Sequence, residues 1–133
     1  MAVARYRHTA GCVASLRYHL VWCPKYRRPV LGGAVAEALT ALLHAKAAAL
    51  GCAVEALEVM PDHVHLVVAA PPTLAPQQLA NQFKGSTSRL LRERFPWLKR
   101  RLPSLWSRAY YVGSAGSVSA VAIRRYVAQQ KGV

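Results

Sequence analysis

The chain has 133 residues, with 18 Lys and Arg residues against 5 acidic ones, and its net charge of +13 is far from that of an ordinary neutral enzyme. A chain of this length can bury one core, so we expect a single domain over residues 1–133. Because the basic residues are spread along the chain, they predict a folded surface that binds a polyanion. Cys12, Cys23 and Cys52 lack metal-ligand spacing, which favours a reducing compartment.

The sequence also argues against membrane insertion. No compact apolar segment with a cleavage site follows Arg5, Arg7 and His8 at the N-terminus. The longest stretch of low charge, residues 34–50, is too short and too rich in alanine to span a bilayer. We therefore expect a cytoplasmic protein.

The first half of the chain predicts two strand regions around a helix. Residues 16–22 alternate between apolar and polar side chains, which is typical of a strand, and Pro24 follows. Residues 34–50 place apolar side chains at helical spacing and end at Gly51, a favoured residue after a helix. Residues 54–60 and 63–69 are rich in β-branched residues and are separated by Pro61 and Asp62, which predicts an antiparallel hairpin.

The second half repeats the alternation of helix and strand. Residues 76–95 predict a helix that is weakened at 85–88 and ended by Pro96. Residues 105–113 predict a last strand, the glycines at 113–116 a hinge, and residues 117–130 a final helix. The order β-α-β-β-α-β-α predicts an α+β sandwich of the ferredoxin-like or RRM-like type, with a mainly antiparallel sheet.

Two histidines at the start of the second hairpin strand have the spacing of metal ligands. On a strand, His63 and His65 point to the same face, so both imidazoles can reach one cation while Val64 faces the core. The alternative is structural, with each ring bonded to a nearby carbonyl or to Asp62. The remaining histidines, His8, His19 and His44, have no such partners in sequence, and we expect them to be surface or packing residues.

The final helix carries a second pair of functional groups. Tyr126 and Gln130 are four residues apart and share a helical face, so a hydroxyl and an amide oxygen project together. By itself, a tyrosine beside an apolar stripe is usually a packing residue. With a cation to polarise a phosphodiester, the same phenol becomes a nucleophile that forms a phosphotyrosine. The energy of the phosphodiester is kept in that bond, so strands can be rejoined without ATP.

Other classes of phosphoryl-transfer enzyme fit the sequence less well. A two-metal nuclease needs clustered acids, yet Glu55 and Glu58 fall on opposite faces of a strand and the other acids are scattered. A histidine-triad hydrolase needs a further histidine where Val67 stands. A two-histidine phosphoesterase needs a second histidine motif, and residues 19–21 do not supply one.

Several segments together resemble the single-tyrosine HUH transposases, a family of small insertion sequences that move as single-stranded DNA. The resemblance covers nearly the whole chain. Its motifs are YHLVWCPKYRRPVL at 18–31, MPDHVHL at 60–66, FKGSTSR at 83–89, LWS at 105–107, YYVGS at 110–114 and RRY at 124–126.

This resemblance implies a mechanism and a set of residues. Tyr126 would be the nucleophile on single-stranded DNA that carries hairpins, and His63, His65 and Gln130 would bind Mg²⁺ or Mn²⁺. Family members are homodimers with a shared sheet, in which the tyrosine helix of one subunit can complete the histidine site of the other. The basic residues that we expect to contact DNA are Lys25, Arg27, Arg28, Lys84, Arg89, Arg124 and Arg125.

Two alternatives stay open at this point. The REP-associated tyrosine transposases are close in motif, although they usually carry extra sequence that this chain lacks. A non-catalytic ferredoxin-like module could use the same charge to bind nucleic acid, with Tyr18 or Trp22 stacking on bases. Binding without cleavage would identify that module.

Overall fold

A computed structural model of the chain describes residues 7–9, 12–14, 16–114 and 120–130. Its strands are β1 (Arg7–Thr9), β2 (Cys12–Ala14), β3 (Leu16–Trp22), β4 (Ala53–Met60), β5 (His63–Ala70) and β6 (Tyr111–Ser114). Its helices are α1 (Gly33–Ala49), α2 (Pro76–Arg94), α3 (Pro96–Arg101) and α4 (Ala120–Gln129), and a short 3-10 turn covers Lys25–Arg27.

Four strands form the main sheet in the order β4-β5-β3-β6, and every neighbouring pair is antiparallel. With α1 between β3 and β4 and α2 between β5 and β6, this is the β-α-β-β-α-β arrangement of ferredoxin-like folds. The predicted α+β fold is therefore confirmed. The strands β1 and β2 form a separate two-stranded sheet that the sequence analysis did not predict.

The core lies between one face of this sheet and the helices. Along β5 the side chains of Val64, Leu66 and Val68 are fully buried, and they join Leu39 of α1 and Phe83 of α2 in one apolar cluster. The side chains that alternate with them point to the other face, because successive residues of a strand point in opposite directions. The opposite face of β5 therefore carries the two histidines.

The structure corrects the predicted strand at residues 105–113. Regular pairing begins only at Tyr111, and Trp106 makes one isolated bridge with Pro24. The indole nitrogen of Trp106 donates a hydrogen bond to Thr87 Oγ1 at 3.1 Å, so this residue is fixed against α2 rather than within the sheet. A segment rich in aromatic residues was therefore mistaken for a strand over its first half.

The second helix also differs from the prediction. The helix α2 runs without a break through residues 85–88, where the hydroxyls of Ser86 and Thr87 donate to carbonyls four residues earlier instead of ending the helix. After Arg94 a new short helix begins at Pro96, a residue well suited to the first turn. Gly113 and Ser114 of the predicted hinge belong to β6, and its residues 115 and 116 lie outside the described residues, as do residues 117–119 of the predicted final helix.

Within the described ranges, none of the helices has both the length and the apolar character needed to cross a membrane.

Candidate active site

The two histidines of β5 lie on the sheet face opposite the core. His65 is paired with Val21 of β3 on one side and with Glu58 of β4 on the other, and His63 is paired with Met60. Both imidazoles are partly buried. The predicted common face of the two rings is therefore present in the fold.

His63 is held by a carboxylate. Its Nδ1 lies 2.9 Å from Asp62 Oδ1, and the other carboxylate oxygen lies 3.3 Å from Arg27 Nε. An imidazole that donates its Nδ1 hydrogen to a carboxylate keeps the lone pair of Nε2 for a cation, and such pairs commonly orient metal-binding histidines. The structural partner foreseen for this ring, Asp62, is thus present and is compatible with metal binding.

His65 is held differently. Its Nδ1 is 4.0 Å from Glu58 Oε2, too far for a hydrogen bond, and its Nε2 is buried without a partner among the described residues. Burial lowers the pKa of His65, so the ring is neutral near pH 7 and its Nε2 can act as a ligand. A buried imidazole nitrogen without a partner is compatible with a cation ligand, and Nε2 of His19 is buried without a partner among the described residues in the same way.

The sequence analysis placed His19 outside the site, and the structure brings it in. The ring of His19 stacks on that of His65, with centroids 4.0 Å apart and planes 13° apart. Burial, followed by the neighbouring His65, lowers the pKa of His19. The alternation of β3 puts His19 on one face with Val21, but only the pairing of β3 with β5 shows that this face is the histidine face.

Tyr126 of α4 lies over the same face. Its ring packs edge to face against Tyr111 of β6, with centroids 6.2 Å apart, and Tyr111 is paired with Val21 in the row that contains His65. Only 8% of Tyr126 is exposed, and its hydroxyl has no partner in the part of the chain that is described. Burial, with a contribution from Cys23, raises the pKa of Tyr126 above its ordinary value.

Gln130 follows α4 and is also buried. Its Oε1 accepts a hydrogen bond from Ser107 Oγ at 3.2 Å. The backbone nitrogen of Ser107 donates to the carbonyl of Cys23, which continues β3 towards the site. Gln130 is thereby tied to the loop before β6 and to the end of the central strand.

Arg27 connects the two halves of the site. While its Nε contacts Asp62, its Nη1 donates to the backbone carbonyl of Val127 at 3.2 Å. Both Arg27 and the preceding Tyr26 have positive φ angles, of 52° and 59°, which are costly for residues other than glycine. The turn after β3 is therefore bent so that one guanidinium reaches both the histidine strand and the tyrosine helix.

The residues present fit a divalent cation. The described residues contain no cluster of three or more His, Cys, Asp or Glu side chains that could hold a metal ion. The groups that could hold a cation are the nitrogens of His63 and His65 and, from the end of α4, the amide oxygen of Gln130, with DNA or water oxygens completing the shell. Imidazole and oxygen ligands together suit Mg²⁺ or Mn²⁺, provided that several positions remain open.

The residues predicted to contact DNA divide into two groups. Arg28 lines a cavity of about 350 Å³ together with Arg101, and Arg89 lines a second one of about 340 Å³. Arg124 and Arg125 are exposed on α4 immediately before Tyr126. Four of the predicted residues therefore keep their cationic groups at the surface: Arg28, Arg89, Arg124 and Arg125. Lys25 is similar, and its ammonium lies 5.2 Å from the ring centre of Tyr26.

Lys84 and Arg27 have other partners instead. The ammonium of Lys84 donates to the carbonyls of Ser107, Arg108 and Ala109 at 2.8, 3.1 and 3.3 Å. Burial lowers its pKa. The contacts of both residues favour a structural role in assembling the site over direct contact with DNA.

Sequence comparisons point in one direction. The family model described as "Transposase IS200 like" matches residues 12–130. The ISDra2 transposase TnpA of Deinococcus radiodurans is 38% identical over 122 residues, which cover 90% of this chain and 87% of that protein. The transposase of insertion sequence element IS200 from Salmonella typhimurium is 31% identical over 116 residues, covering 86% of this chain and 76% of that one.

Structural comparisons agree with them. A crystal structure from Deinococcus radiodurans R1, described as a candidate transposase, has a TM-score of 0.87 and 34% identity, and covers 96% of this chain and 99% of that one. A REP-associated tyrosine transposase bound to a REP hairpin has a TM-score of 0.58 and 13% identity, covering 98% of this chain and 76% of the other. The second likeness is one of fold alone.

Proposed function

Because the chain belongs to the IS200-like transposase family of HUH tyrosine single-strand nucleases, we propose that it cuts and rejoins single-stranded DNA through a covalent phosphotyrosine at Tyr126. The observation that carries this proposal is the position of Tyr126 on the same sheet face as His63 and His65. One folded domain would hold the nucleophile and the metal ligands. The relatives at 38% and 31% identity that are named as insertion-sequence transposases favour an insertion-sequence enzyme over a REP-associated one.

The cation would be Mg²⁺ or Mn²⁺, bound by His63, His65 and Gln130. When bound, it polarises the scissile phosphate and offsets the negative charge that develops there. The support for these ligands is local: Asp62 leaves Nε2 of His63 free, and Nε2 of His65 is buried without a partner among the described residues. The amide oxygen of Gln130 has a second lone pair besides the one that accepts from Ser107.

The bond changes follow from the nucleophile. The phenol oxygen of Tyr126 forms a bond to phosphorus, the bond from phosphorus to the 3′ oxygen breaks, and the leaving oxygen takes a proton. Rejoining reverses this order, since a 3′ hydroxyl attacks the phosphotyrosine and the phenol is released. Burial keeps Tyr126 protonated at neutral pH, so the proton must leave as the bond to phosphorus forms.

The DNA would be single-stranded and would carry hairpins near the element ends. A net charge of +13 provides the attraction for a polyanion. Arg124 and Arg125 are exposed and immediately precede Tyr126 in the chain. Arg28 and Arg101 line a cavity, and the nearby Leu31 nitrogen donates a hydrogen bond to the carbonyl of Pro61, just before the histidine strand. These are the groups that we expect to attract the DNA backbone.

The active form would be a homodimer with a shared sheet. The strand β4 is at one edge of the main sheet, where unpaired backbone groups are suited to pairing with a second copy. In this structure α4 docks on the sheet of its own chain through Arg27 and Ser107. A composite site would require the same docking contacts to form with the sheet of the partner.

The direct test is covalent capture. Wild-type protein mixed with a hairpin-bearing single strand and Mn²⁺ should give a protein–DNA adduct at Tyr126, identified by mass spectrometry. Tyr126→Phe should bind the strand with the affinity of the wild type and give neither adduct nor cut product. Tyr26→Phe, which changes an exposed tyrosine outside the site, is the matched control and should cut normally.

The metal is tested separately. His63→Ala and wild type in chelator should both lose cutting while they still bind the strand.

If Tyr126→Phe cuts as fast as wild type, the proposed nucleophile is wrong. If the wild type binds the strand but never cuts it, with either cation present, the non-catalytic nucleic-acid-binding module is the better description.

A further inference from the structure

The two metal-binding histidines are oriented by different means. Asp62 fixes the ring of His63 through a hydrogen bond of 2.9 Å to Nδ1. Among the described residues, the carboxylate near the corresponding nitrogen of His65 is that of Glu58, which is exposed and lies 4.0 Å away, beyond hydrogen-bond distance. Metal-binding histidines nearly always have their second nitrogen held by a partner that fixes the ring, so His65 needs another source of orientation.

The ring of His19 supplies a contact of the right geometry. The centroids of His19 and His65 are 4.0 Å apart and the planes differ by 13°, which leaves little room for His65 to rotate towards β3. The contact is built into the sheet, since His19 is paired with Val67 and lies diagonally across from His65 on the same face.

His19 is badly placed to be a third ligand. A ligand nitrogen of an imidazole binds a cation in the plane of its own ring, because its lone pair lies in that plane. A cation in the plane of His65 would lie on the order of 4 Å from the nearly parallel plane of His19, given the 4.0 Å separation of the centroids. One cation therefore cannot bind both rings in good geometry.

We propose that His19 is a positioning residue, whose stacked ring fixes the plane of His65 so that Nε2 points to the cation. This inference rests on the proposed function, because it assumes that His65 is a metal ligand. The ring of His19 acts through its flat face, and its nitrogens are not needed for the effect. His65 would thus be oriented by stacking where His63 is oriented by a carboxylate.

The test compares three substitutions at one position. His19→Phe keeps a flat ring without nitrogens, His19→Gln keeps a hydrogen-bonding group without a ring, and His19→Ala keeps neither. Mn²⁺ binding to the DNA-free protein, measured by calorimetry and by electron paramagnetic resonance, should weaken about 10–100-fold in the Ala and Gln variants. The Phe variant should stay within about threefold of the wild type. His44→Ala, an exposed change on α1, is the control and should bind as the wild type does.

Each result separates this inference from the proposed function. If His63→Ala abolishes Mn²⁺ binding while all His19 variants bind normally, the metal site stands and the positioning role is wrong. If His19→Gln binds well and His19→Phe does not, a nitrogen rather than the stacked face is what matters, and the inference fails. If the wild type binds no Mn²⁺ and cuts in chelator, the proposed metal site fails, and this inference with it. Should His19→Ala not fold, the comparison of Phe with Gln decides.

Discussion

The hydroxyl of Ser107 donates a hydrogen bond to Oε1 of Gln130 at 3.2 Å, and both residues are buried. Ser107 is itself fixed on two sides, because its nitrogen bonds to the carbonyl of Cys23 and its carbonyl accepts from Lys84. The loop before β6 is thus held by hydrogen bonds where it contacts the end of the tyrosine helix. It connects α2, the central strand and Gln130.

Ser107→Ala should weaken both Mn²⁺ affinity and cutting. A neutral hydrogen bond contributes about 1 kcal/mol, so we expect a loss of about fivefold in each, with DNA binding unchanged. Ser86→Ala is the control, because within the described ranges the Ser86 hydroxyl donates to a carbonyl of its own helix, that of Gln82. Calorimetry with Mn²⁺ and a cutting assay under single-turnover conditions measure the two effects. Unchanged Mn²⁺ affinity would show that Ser107 does not orient Gln130 for a cation.

Lys84→Met should destabilise the fold more than it weakens DNA binding. The substitution keeps an unbranched side chain but removes the ammonium that binds the carbonyls of residues 107–109. The bond to Ser107 is partly buried and the other two are exposed, so we expect a loss of about 1 kcal/mol in the free energy of unfolding, which urea unfolding can measure. Its control on the same helix is Arg89→Ala, an exposed residue for which we expect a change within about 0.5 kcal/mol.

The DNA measurement separates the two roles at position 84. If Lys84 contacts phosphate, its loss should reduce the slope of log affinity against log salt by about 0.7. The structure leads us to expect no change in that slope. A reduced slope with unchanged stability would restore Lys84 to the DNA-binding group.

The sequence predicted those parts of the site that follow from local periodicity. The alternation of β5 was enough to place His63 and His65 on one face, and the helical spacing was enough to pair Tyr126 with Gln130. The role of His19 could not be predicted, because the contact depends on the register between β3 and β5, which no local pattern specifies. The aromatic residues before β6 predicted a strand, whereas the bond from Trp106 to Thr87 holds them against a helix.

The basic residues show a similar limit. Composition gave the correct class of partner, but charge alone does not distinguish a cation that faces solvent from one that binds carbonyls. Arg27 and Arg28 are adjacent in sequence and share a residue type, yet one contacts Asp62 and Val127 while the other is exposed and lines a cavity. Positive φ angles at Tyr26 and Arg27 produce this difference, and nothing in the composition of the turn indicates them.

The protein should lose stability at alkaline pH. Burial, with a contribution from Asp62, raises the pKa of Cys23 from 9.0 to about 11, and burial also raises the pKa of Tyr126. As pH rises past about 9, the unfolded chain releases the proton of Cys23 while the folded chain keeps it. The stability that the folded protein has when the Cys23 thiol is protonated is therefore fully present below pH 9 and is lost as the pH rises towards 11.

Urea unfolding at pH 7.5 and pH 10 measures the effect. The ionisation of Cys23 should account for a loss of about 1 kcal/mol between these values. In Cys23→Ala the loss of unfolding free energy between pH 7.5 and pH 10 should be smaller by about 1 kcal/mol. Because each protein is compared at the two pH values, the destabilisation caused by the substitution itself cancels. An identical pH dependence in the two proteins would mean that the Cys23 thiol is not the source of the alkaline loss.

Arg27→Lys should impair cutting while leaving DNA binding nearly intact. Lysine keeps the positive charge, but it has one ammonium where arginine has several nitrogens. That ammonium cannot contact Asp62 and the carbonyl of Val127 at the same time, as Nε and Nη1 of Arg27 do. We expect the single-turnover cutting rate to fall by about 10-fold or more, because the orientation of both His63 and α4 is loosened.

Arg28→Lys provides the neighbouring comparison at an exposed position. It should cut at a rate close to that of the wild type, since a charge that neutralises phosphate does not require the planar fork of arginine. Arg28→Ala should weaken binding and reduce the salt slope by about 0.7, and Arg27→Lys should leave that slope unchanged. Equal cutting rates for Arg27→Lys and wild type would show that the bridge between the histidine strand and the tyrosine helix is dispensable. The docking of α4 would then depend on Ser107 and Tyr111 instead.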